Sequence, residues 1–385
     1  MYLLVLAVAF FVVRESEVGP SAKLNRFAVL VPAHNEELLI SRLCESLLKI
    51  NYPREFYEIF IIADNCNDRT AEICRTYPIH VLSRNDPFRI GKGFALSWAL
   101  ERMPLKEFDA VFLVDADNVV DSFILEELNR SINRSEQAVQ CYNAVGNRAD
   151  SWFTQLLFVS RTIGNLLYHH SKYKLGLSSY LMGNGMCFST ALLSKKGWTA
   201  FNPGEDGEYY AQLIEERIKI GFAVKAKVYH QESRSLEQAT SQRLRWASGR
   251  FFVLKKFGLR LFLKGLINRD WFTLDASLPL IFPNYSLQIN LTILTLILCL
   301  VLRTSAPKTF LIALTLWLLG GQIILFLAGI YLAGSYWEVF KAIVRAPLFL
   351  IWKLIIDFLA VSRIYRGDKW VRTERHVSSD DHVTH

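Results

Sequence analysis

Much that would classify this 385-residue chain at a glance is missing from it. Its six cysteines (Cys44, Cys66, Cys74, Cys141, Cys187, Cys299) include no CxxC pair and set up no even framework. A disulfide scaffold is thereby excluded, and the thiols read as reduced, mostly buried and facing a cytosolic pool. No GxGxxG and no Walker loop occurs, so the usual dehydrogenase and P-loop signatures are absent. A net charge of +8 would suit nucleic acid, yet no zinc-finger or RNP-type pattern accompanies it. No internal repeat or low-complexity segment interrupts the chain. The first apolar run, Tyr2 to Val13, is too short at ~1.5 Å per residue to cross a ~30 Å hydrocarbon core. It also lacks the basic n-region and small-residue cleavage site of a signal peptide. It is expected to be a membrane anchor, or a transmembrane helix truncated at its start.

What is present is half hydrophobic, with the charge gathered in the first two thirds. The length exceeds what one compact domain usually holds. From Phe27 the pattern alternates between strand and helix. Phe27 to Pro32 reads as a buried strand, and a helix follows from about Glu36, with Leu39, Leu43, Leu47 and Leu48 on one face. Ile59 to Ile62 forms a second strand ending at Asp64. Thr70 to Tyr77 is expected to be helical, Ile79 to Leu82 a strand, Gly91 to Arg102 a helix, and Val111 to Val114 a strand that emerges at Asp115. This predicts an α/β fold with a mostly parallel, Rossmann-like sheet flanked by helices on both faces.

Trp152 to His170 has helical period, and either covers the sheet or lies at a membrane interface. A turn at Gly183-Asn184-Gly185 precedes a short strand, Met186 to Ser189. Pro203-Gly204-Glu205-Asp206 opens a helix with Tyr210, Leu213, Ile214 and Ile218 inward, which Gly221 is expected to stop.

After Arg250 the character changes. Phe251 to Leu266 mixes Phe and Leu with Lys255, Lys256, Arg260 and Lys264, as a surface-lying amphipathic helix does. Leu278 to Leu302 and Phe310 to Leu332 are long enough to cross a bilayer, with Pro283 kinking the first and Arg303 to Lys308 linking them. Val339 to Val361 carries Lys341, Arg345, Lys353 and Asp357, which are costly in lipid, although Lys353 and Asp357 can pair at i,i+4. It is expected to lie along the interface or to re-enter. Basic residues beside apolar helices fit a cytoplasmic membrane surface. The expected divisions are an anchor (1–14), a cytosolic catalytic domain (25–249) and an amphipathic interfacial helix (250–276). A transmembrane hairpin (277–335) follows, then an interfacial or re-entrant helix with a basic tail (336–385).

The chemistry centres on Asp115-Ala116-Asp117. Open α/β sheets bind ligands at the carboxyl edge, where this pair would stand. On an extended chain the two carboxylates share a side and repel unless a cation lies between them. A hard divalent ion holding a diphosphate is the natural partner; the plain alternative is an Asp/Asn turn. Pro32-Ala33-His34-Asn35-Glu36 and Ala63-Asp64-Asn65 close two strands at that edge. Each alone reads as a cap or turn, but together they offer acceptors for a base and ribose. Arg89-Ile90-Gly91-Lys92 places backbone amides and an ammonium at a helix start, as a diphosphate requires. Glu205 and Asp206 alone read as favourable acid at a helix N-terminus.

With Gln242-Arg243-Leu244-Arg245-Trp246 added, the chain resembles the membrane-embedded family 2 glycosyltransferases of the GT-A fold, the group of cellulose, chitin and hyaluronan synthases. The markers are Asp64, Asp115-Ala116-Asp117, Glu205-Asp206 and Gln-X-X-Arg-Trp, within about Phe27 to Gly249. The family's usual Thr before Glu-Asp is Gly204 here. The resemblance implies that Asp64 recognises uracil and that Pro32, Ala33, His34 and Glu36 line base and ribose. Asp115 and Ala116 would contact the nucleotide, and Asp117 with Asp115 would hold Mg²⁺ or Mn²⁺. Lys92 would stabilise the leaving diphosphate, and Asp206 would be the general base, with Glu205 the alternative. Gln242, Arg245 and Trp246 would serve the acceptor end and the pyrophosphate. His230 is either a pyrophosphate or second-sphere group or a satisfied structural histidine. Trp370-Val-Arg-Thr-Glu-Arg375 resembles a tail segment of many bacterial members, against a solvated basic tail as the plain alternative.

The function implied is inverting transfer from a UDP-sugar to a glycan or lipid-linked acceptor, in polysaccharide synthesis, by a multi-pass protein of the cell membrane. The bilayer is then a partner and nucleic acid is not. A metal-dependent sugar nucleotidyltransferase also needs paired carboxylates, but it needs no acceptor-side base and releases pyrophosphate. A non-catalytic membrane scaffold predicts no metal-dependent nucleotide binding.

Overall fold

The computed structural model describes residues 1–14, 23–282, 284–301, 308–334 and 336–363. Eight strands form one mixed sheet: β1 (Phe27–Ala33), β2 (Tyr57–Asp64), β3 (His80–Arg84), β4 (Ala110–Leu113), β5 (Asn118–Val120), β6 (Ala138–Val145), β7 (Met186–Ser189) and β8 (Ile220–His230). Across the sheet they run β3-β2-β1-β4-β7-β6-β8-β5. The first four strands pair in parallel. β7 is antiparallel to both β4 and β6, β6 and β8 are parallel, and β5 closes the far edge antiparallel to β8. The sheet is therefore wholly parallel on the β3–β4 side and mixed on the other.

Strand β1 shows why the parallel side is so apolar. Phe27, Val29 and Val31 point into one core with Leu43 and Leu47, while Ala28 and Leu30 point into the other with Leu96 and Ala99. A strand covered on both faces has no polar alternation to keep.

The terminal helix α1 (Tyr2–Val12) is followed after β1 by α2 (Ile40–Leu48), which buries Ile40, Leu43, Cys44 and Leu47. α2 starts four residues later than the expected Glu36. The amides of Glu36 and Glu37 bond instead to the side chains of Thr70 and Asp68, at 2.7 and 3.1 Å, so the chain turns before it coils. α3 (Thr70–Cys74) also ends short of the expected Tyr77. α4 (Lys92–Leu100) and α5 (Ile124–Asn133) cover opposite faces.

α6 (Trp152–Thr162) continues through a π-helical stretch, Ile163–His170, into α7 (Ser171–Lys174). It lies between the sheet and the apolar helices. Asn165 bonds the backbone of Asn143 on β6 and His169 stacks on Phe222 of β8, while Val159, Ile163 and Leu167 pack against Ala7, Leu325 and Val339. After α8 (Thr190–Lys196) comes α9 (Glu205–Glu215), with Tyr210, Leu213 and Ile214 buried. Gly221 does not stop it. The helix ends at Glu215, Arg217 takes φ 60°, and Gly221 lies inside β8.

α10 (Leu236–Val253) runs through a π-helical turn, Leu254–Gly258, into α11 (Leu259–Ile267), whose Leu263, Lys264, Leu266 and Ile267 are exposed. α12 (Trp271–Ile281) and α13 (Tyr285–Val301) meet at a 75° bend. Pro283 lies outside the described residues; Pro279 sits within α12. α14 (Lys308–Ala333) has 26 residues and a mean hydropathy of 2.3, enough to cross a bilayer alone. The bent α12–α13 pair could make a second crossing, and the 11 residues of α1 are too few. α15 (Tyr336–Ile343) and α16 (Ala346–Arg363) replace the single segment expected over Val339 to Val361. The Lys353–Asp357 pair forms at 2.6 Å. Residues 302–307 of the α13–α14 link, and the tail with Trp370, Arg372 and Arg375, lie outside the described residues. All six cysteines are free.

Candidate active site

The loops that leave β1, β2 and β3 are stitched to one another at the carboxyl edge. Pro32 and Ala33 end β1, and His34 Nδ1 lies 2.7 Å from the Asp64 carbonyl oxygen. Asn35 and Asn65, each just past a strand, take φ of 55° and 51°, a left-handed turn that asparagine tolerates. Their side-chain oxygens accept from the amides of Asn67 at 2.9 Å and Asp86 at 2.7 Å. Glu36 joins this edge through its backbone bond to Thr70.

Asp64 is only 5% exposed, and the Arg84 guanidinium from the end of β3 holds it. Arg84 also donates to the Arg89 carbonyl oxygen at 2.7 Å and to Asp86 at 3.1 Å. Burial pushes the Asp64 carboxyl up and Arg84 pulls against that shift. Arg84 was not singled out in the sequence, although a basic residue closing a strand at the same edge was the available signal.

Asp115, Ala116 and Asp117 do not lie on an extended strand. β4 ends at Leu113, and the three residues form a turn that Asn118 closes by donating to the Asp115 carbonyl oxygen at 3.1 Å. The Asp115 carboxylate is met by a protein cation. Lys92 Nζ lies 2.5 Å from Asp115 Oδ1, bonds the Gly183 carbonyl oxygen, and stands 3.7 Å from Glu205 Oε1. Burial pushes the ammonium down, but Asp115 and Glu205 outweigh it and hold Lys92 at about 12.

Glu205 and Asp206 begin α9 beside that ammonium. Burial raises both, Glu205 to about 7, while Lys92 opposes the shift. Gly183, at φ +80°, lies so close that a Cβ there would come within 3.2 Å of Asp206 Oδ2. The Gly183-Asn184-Gly185 turn therefore forms a wall of the carboxylate site, and Asn184 Oδ1 accepts from the Asp115 amide at 3.2 Å. Among the described residues no three His, Cys, Asp or Glu side chains converge on one point. Asp115 and Asp117 supply two hard oxygen donors. That set fits Mg²⁺ or Mn²⁺ when a diphosphate brings the remaining oxygens.

Two glycines bring the last marker, Gln-X-X-Arg-Trp, into place. A Cβ on Gly204 would lie 3.0 Å from the Gly249 backbone, and one on Gly249 would lie 2.9 Å from Gly204 nitrogen. The start of α9 and the last turns of α10 thus touch backbone to backbone, one turn from Trp246. Gly204 here is a packing requirement. On α10, Gln242 and Arg245 are half-buried and Trp246 is 38% exposed. The Arg243 guanidinium lies 4.6 Å over the Trp246 ring. Arg243 is held by Glu232, which also meets His230 Nε2 at 2.9 Å and Arg161 at 3.3 Å. Burial raises the Glu232 carboxyl, but Arg243, His230 and Arg161 together keep it well below the usual range. His230 thus has a structural partner at Nε2, while its buried Nδ1 has no hydrogen-bond partner among the described residues. Arg161, Glu232 and Arg243 carried no sequence signal, since they meet only through the fold.

A half-parallel sheet with nucleotide-type acceptors at one edge, a cation at its centre and buried carboxylates opposite defines a GT-A fold. Residues 25–249 match the family described as glycosyltransferase like family 2, and the chain belongs to that family. It is 24% identical over 249 residues to the probable glycosyltransferase YdaM of Bacillus subtilis (strain 168), covering 62% of this chain and 59% of the relative. It is 29% identical over 229 residues to a beta-monoglucosyldiacylglycerol synthase of Trichormus variabilis, covering 58% and 48%. The chain thus spans about half to three-fifths of the length of these curated relatives. Among solved structures it shares its fold with the mannosyltransferase PcManGT of Pyrobaculum calidifontis, determined with GDP-Man and Mn²⁺. The TM-score is 0.54 and the identity 16%, over 89% of this chain and 98% of that one.

Proposed function

We propose that the chain is an inverting glycosyltransferase that moves a sugar from a UDP-sugar to a lipid-linked or glycan acceptor at the cytoplasmic face of a membrane. The observation that carries this is Lys92, one ammonium set between the Asp115 turn and the buried Glu205-Asp206 pair. A diphosphate placed at that turn meets Lys92 at its leaving oxygen, and an acceptor hydroxyl on the far side meets a carboxylate.

The Pro32–Glu36 and Asp64 loops line base and ribose, with Arg84 fixing Asp64 and Ala116 beside the nucleotide. Asp115 and Asp117 would hold the divalent ion, which supplies charge neutralisation for the departing UDP. Lys92 adds its charge at the same oxygens. Asp206 takes the proton from the acceptor hydroxyl as the new O–C1 bond forms and the bond from C1 to the phosphate oxygen breaks. A carboxyl raised by burial is better matched to that proton than an ordinary aspartate. The single displacement inverts C1. Trp246 offers a face for a sugar ring, Arg245 a charge for the diphosphate, and Gln242 the same helical face as Trp246 at i,i+4.

The lipid side rests on α14, the bent α12–α13 pair and the basic, apolar face of α11. They support reading the chain as a multi-pass membrane enzyme with its site turned to the bilayer surface. The diacylglycerol product named for one relative makes a lipid acceptor the first to test. Membranes containing the chain, given a panel of UDP-sugars and analysed by mass spectrometry, should release UDP and gain a glycosylated lipid or glycan. Release of pyrophosphate without UDP would turn the reading to nucleotidyl transfer.

A further inference from the structure

Two charges of α16, Lys353 and Asp357, face protein. Asp357, 2% exposed, accepts from Arg250 at 3.0 Å and from Lys353 at 2.6 Å, and Asn284 lies 3.5 Å from its second oxygen. Arg250 belongs to α10, next to the Gly249 that touches Gly204. Two and a half turns earlier on α10, Trp352 Nε1 of α16 donates to Thr240 Oγ1 at 3.1 Å. Between these bonds Ile356 and Ala360 are buried against Leu244 and Ala247. α16 therefore grips α10 along the whole stretch that presents Gln242, Arg245 and Trp246.

Tyr180 packs against the start of α9. The Tyr180 hydroxyl lies where a Cβ on Gly207 would come within 2.7 Å, at the first turn of α9. Burial and the Asp206 charge push that phenol up, while Arg250 pulls it down. Asp357 thus fixes Arg250, whose chain neighbour Gly249 touches Gly204 at the start of α9, next to the proposed base. A helix serving only as an anchor gains nothing from a buried carboxylate between two cations, since apolar residues pack there at lower cost.

We propose that α16 is a positioning element of the acceptor site, in which Asp357 holds Arg250 and with it α10, keeping Gln242, Arg245 and Trp246 in register with Glu205 and Asp206. This rests on the glycosyltransferase reading above, in which α10 forms the acceptor end. The test uses membrane vesicles containing the full chain. The probe is radiolabelled UDP-glucose, UDP-galactose or UDP-N-acetylglucosamine, whichever the unmodified chain turns over. Asp357→Asn should lower turnover at saturating donor by about tenfold or more, because a misplacement near 1 Å is costly in transfer. KM for the UDP-sugar should stay within about twofold, and Asp357→Glu should recover most of the loss. Turnover unchanged in Asp357→Asn, or a donor KM that rises in proportion, overturns the proposal. If that variant fails to accumulate, Trp352→Phe keeps an aromatic ring beside Phe153 and Phe349 and removes the bond to Thr240 with part of the indole packing. It should lose about two- to threefold in turnover with the same split, the effect of one hydrogen bond; full activity overturns the proposal equally. Vesicles in which the unmodified chain transfers from none of the three donors sink the functional reading itself. An active chain indifferent to Asp357→Asn sinks only the role of α16.

Discussion

The parallel side of the sheet and the side beyond β7 meet across Lys92, and they are held together differently. On the parallel side each polar group stands where a buried strand ends, and its partners are the neighbouring strand ends: His34 with Asp64, Asn65 with Asp86, Asp64 with Arg84. On the other side the groups come from helices and are set by contacts remote in sequence, such as Gly204 with Gly249 and Arg250 with Asp357. A nucleotide is the same molecule for many enzymes, and a strand-edge platform suffices for it. The acceptor differs from enzyme to enzyme, and helix packing is the part that varies most easily.

The sharpest way to break this division is to silence one side and leave the other intact. Asp206→Asn should lower transfer by ~10²-fold or more while isothermal titration still shows UDP binding. Full transfer would move the base, to Glu205 first. On the nucleotide side, Asp117→Asn should lower turnover by roughly tenfold or more, and EDTA should do the same to the unmodified chain. Activity indifferent to both would end the metal-dependent account.

A smaller effect is expected at the seam. Gly249→Val puts a side chain into the Gly204 backbone, so α10 must shift. Transfer should fall several-fold and chemical denaturation should show a loss of ~1–3 kcal/mol, with UDP affinity retained. Loss of UDP binding in parallel would show that the two sides are not separable. The smallest effect concerns pH. Glu205 is raised to about 7 in the folded chain, so between the ordinary carboxylate range and pH 7 the folded state holds a proton that the unfolded state has lost. The stability this confers is present at lower pH and is lost as pH rises through 7. Thermal unfolding should therefore drop by a few °C between about pH 5 and pH 8, and Glu205→Gln should flatten that slope. An unchanged slope would place the titrating group elsewhere.

The same division decides what could be read in the sequence. Strands β1, β2 and β4 are short apolar runs bounded by polar clusters, so their ends and the residues at them were legible. So was the parallel pairing of that side, which strand–helix alternation implies, though not the order of its strands. The start of α2 was not, because the Thr70 and Asp68 side chains that divert its first amides lie about 30 residues away. β6 and β8 gave no such signal. β8 carries Lys225 and Lys227 among its apolar residues, and Gly221 within it looks like a helix stop. The Glu232 knot with Arg161, His230 and Arg243 joins residues up to 71 apart in sequence, and no local pattern announces it. Lys353 and Asp357 were legible as a pair but not as a pair that faces α10. Periodicity shows which residues share a helical face; it does not show what covers that face.

The glycine contact between α9 and α10 has a further consequence, as a gauge for engineering. Two backbones in contact set the narrowest spacing that the start of α9 and the end of α10 can have. Every side chain added at position 204 or 249 can only widen it, and each larger residue widens it further. Alanine, serine and threonine at Gly204 form a graded series of spacers, with threonine the residue usual in the family at that place. Screening that series against acceptors of increasing girth would use one dimension of the molecule as an adjustable spacing, at a cost in transfer that grows as α10 is displaced.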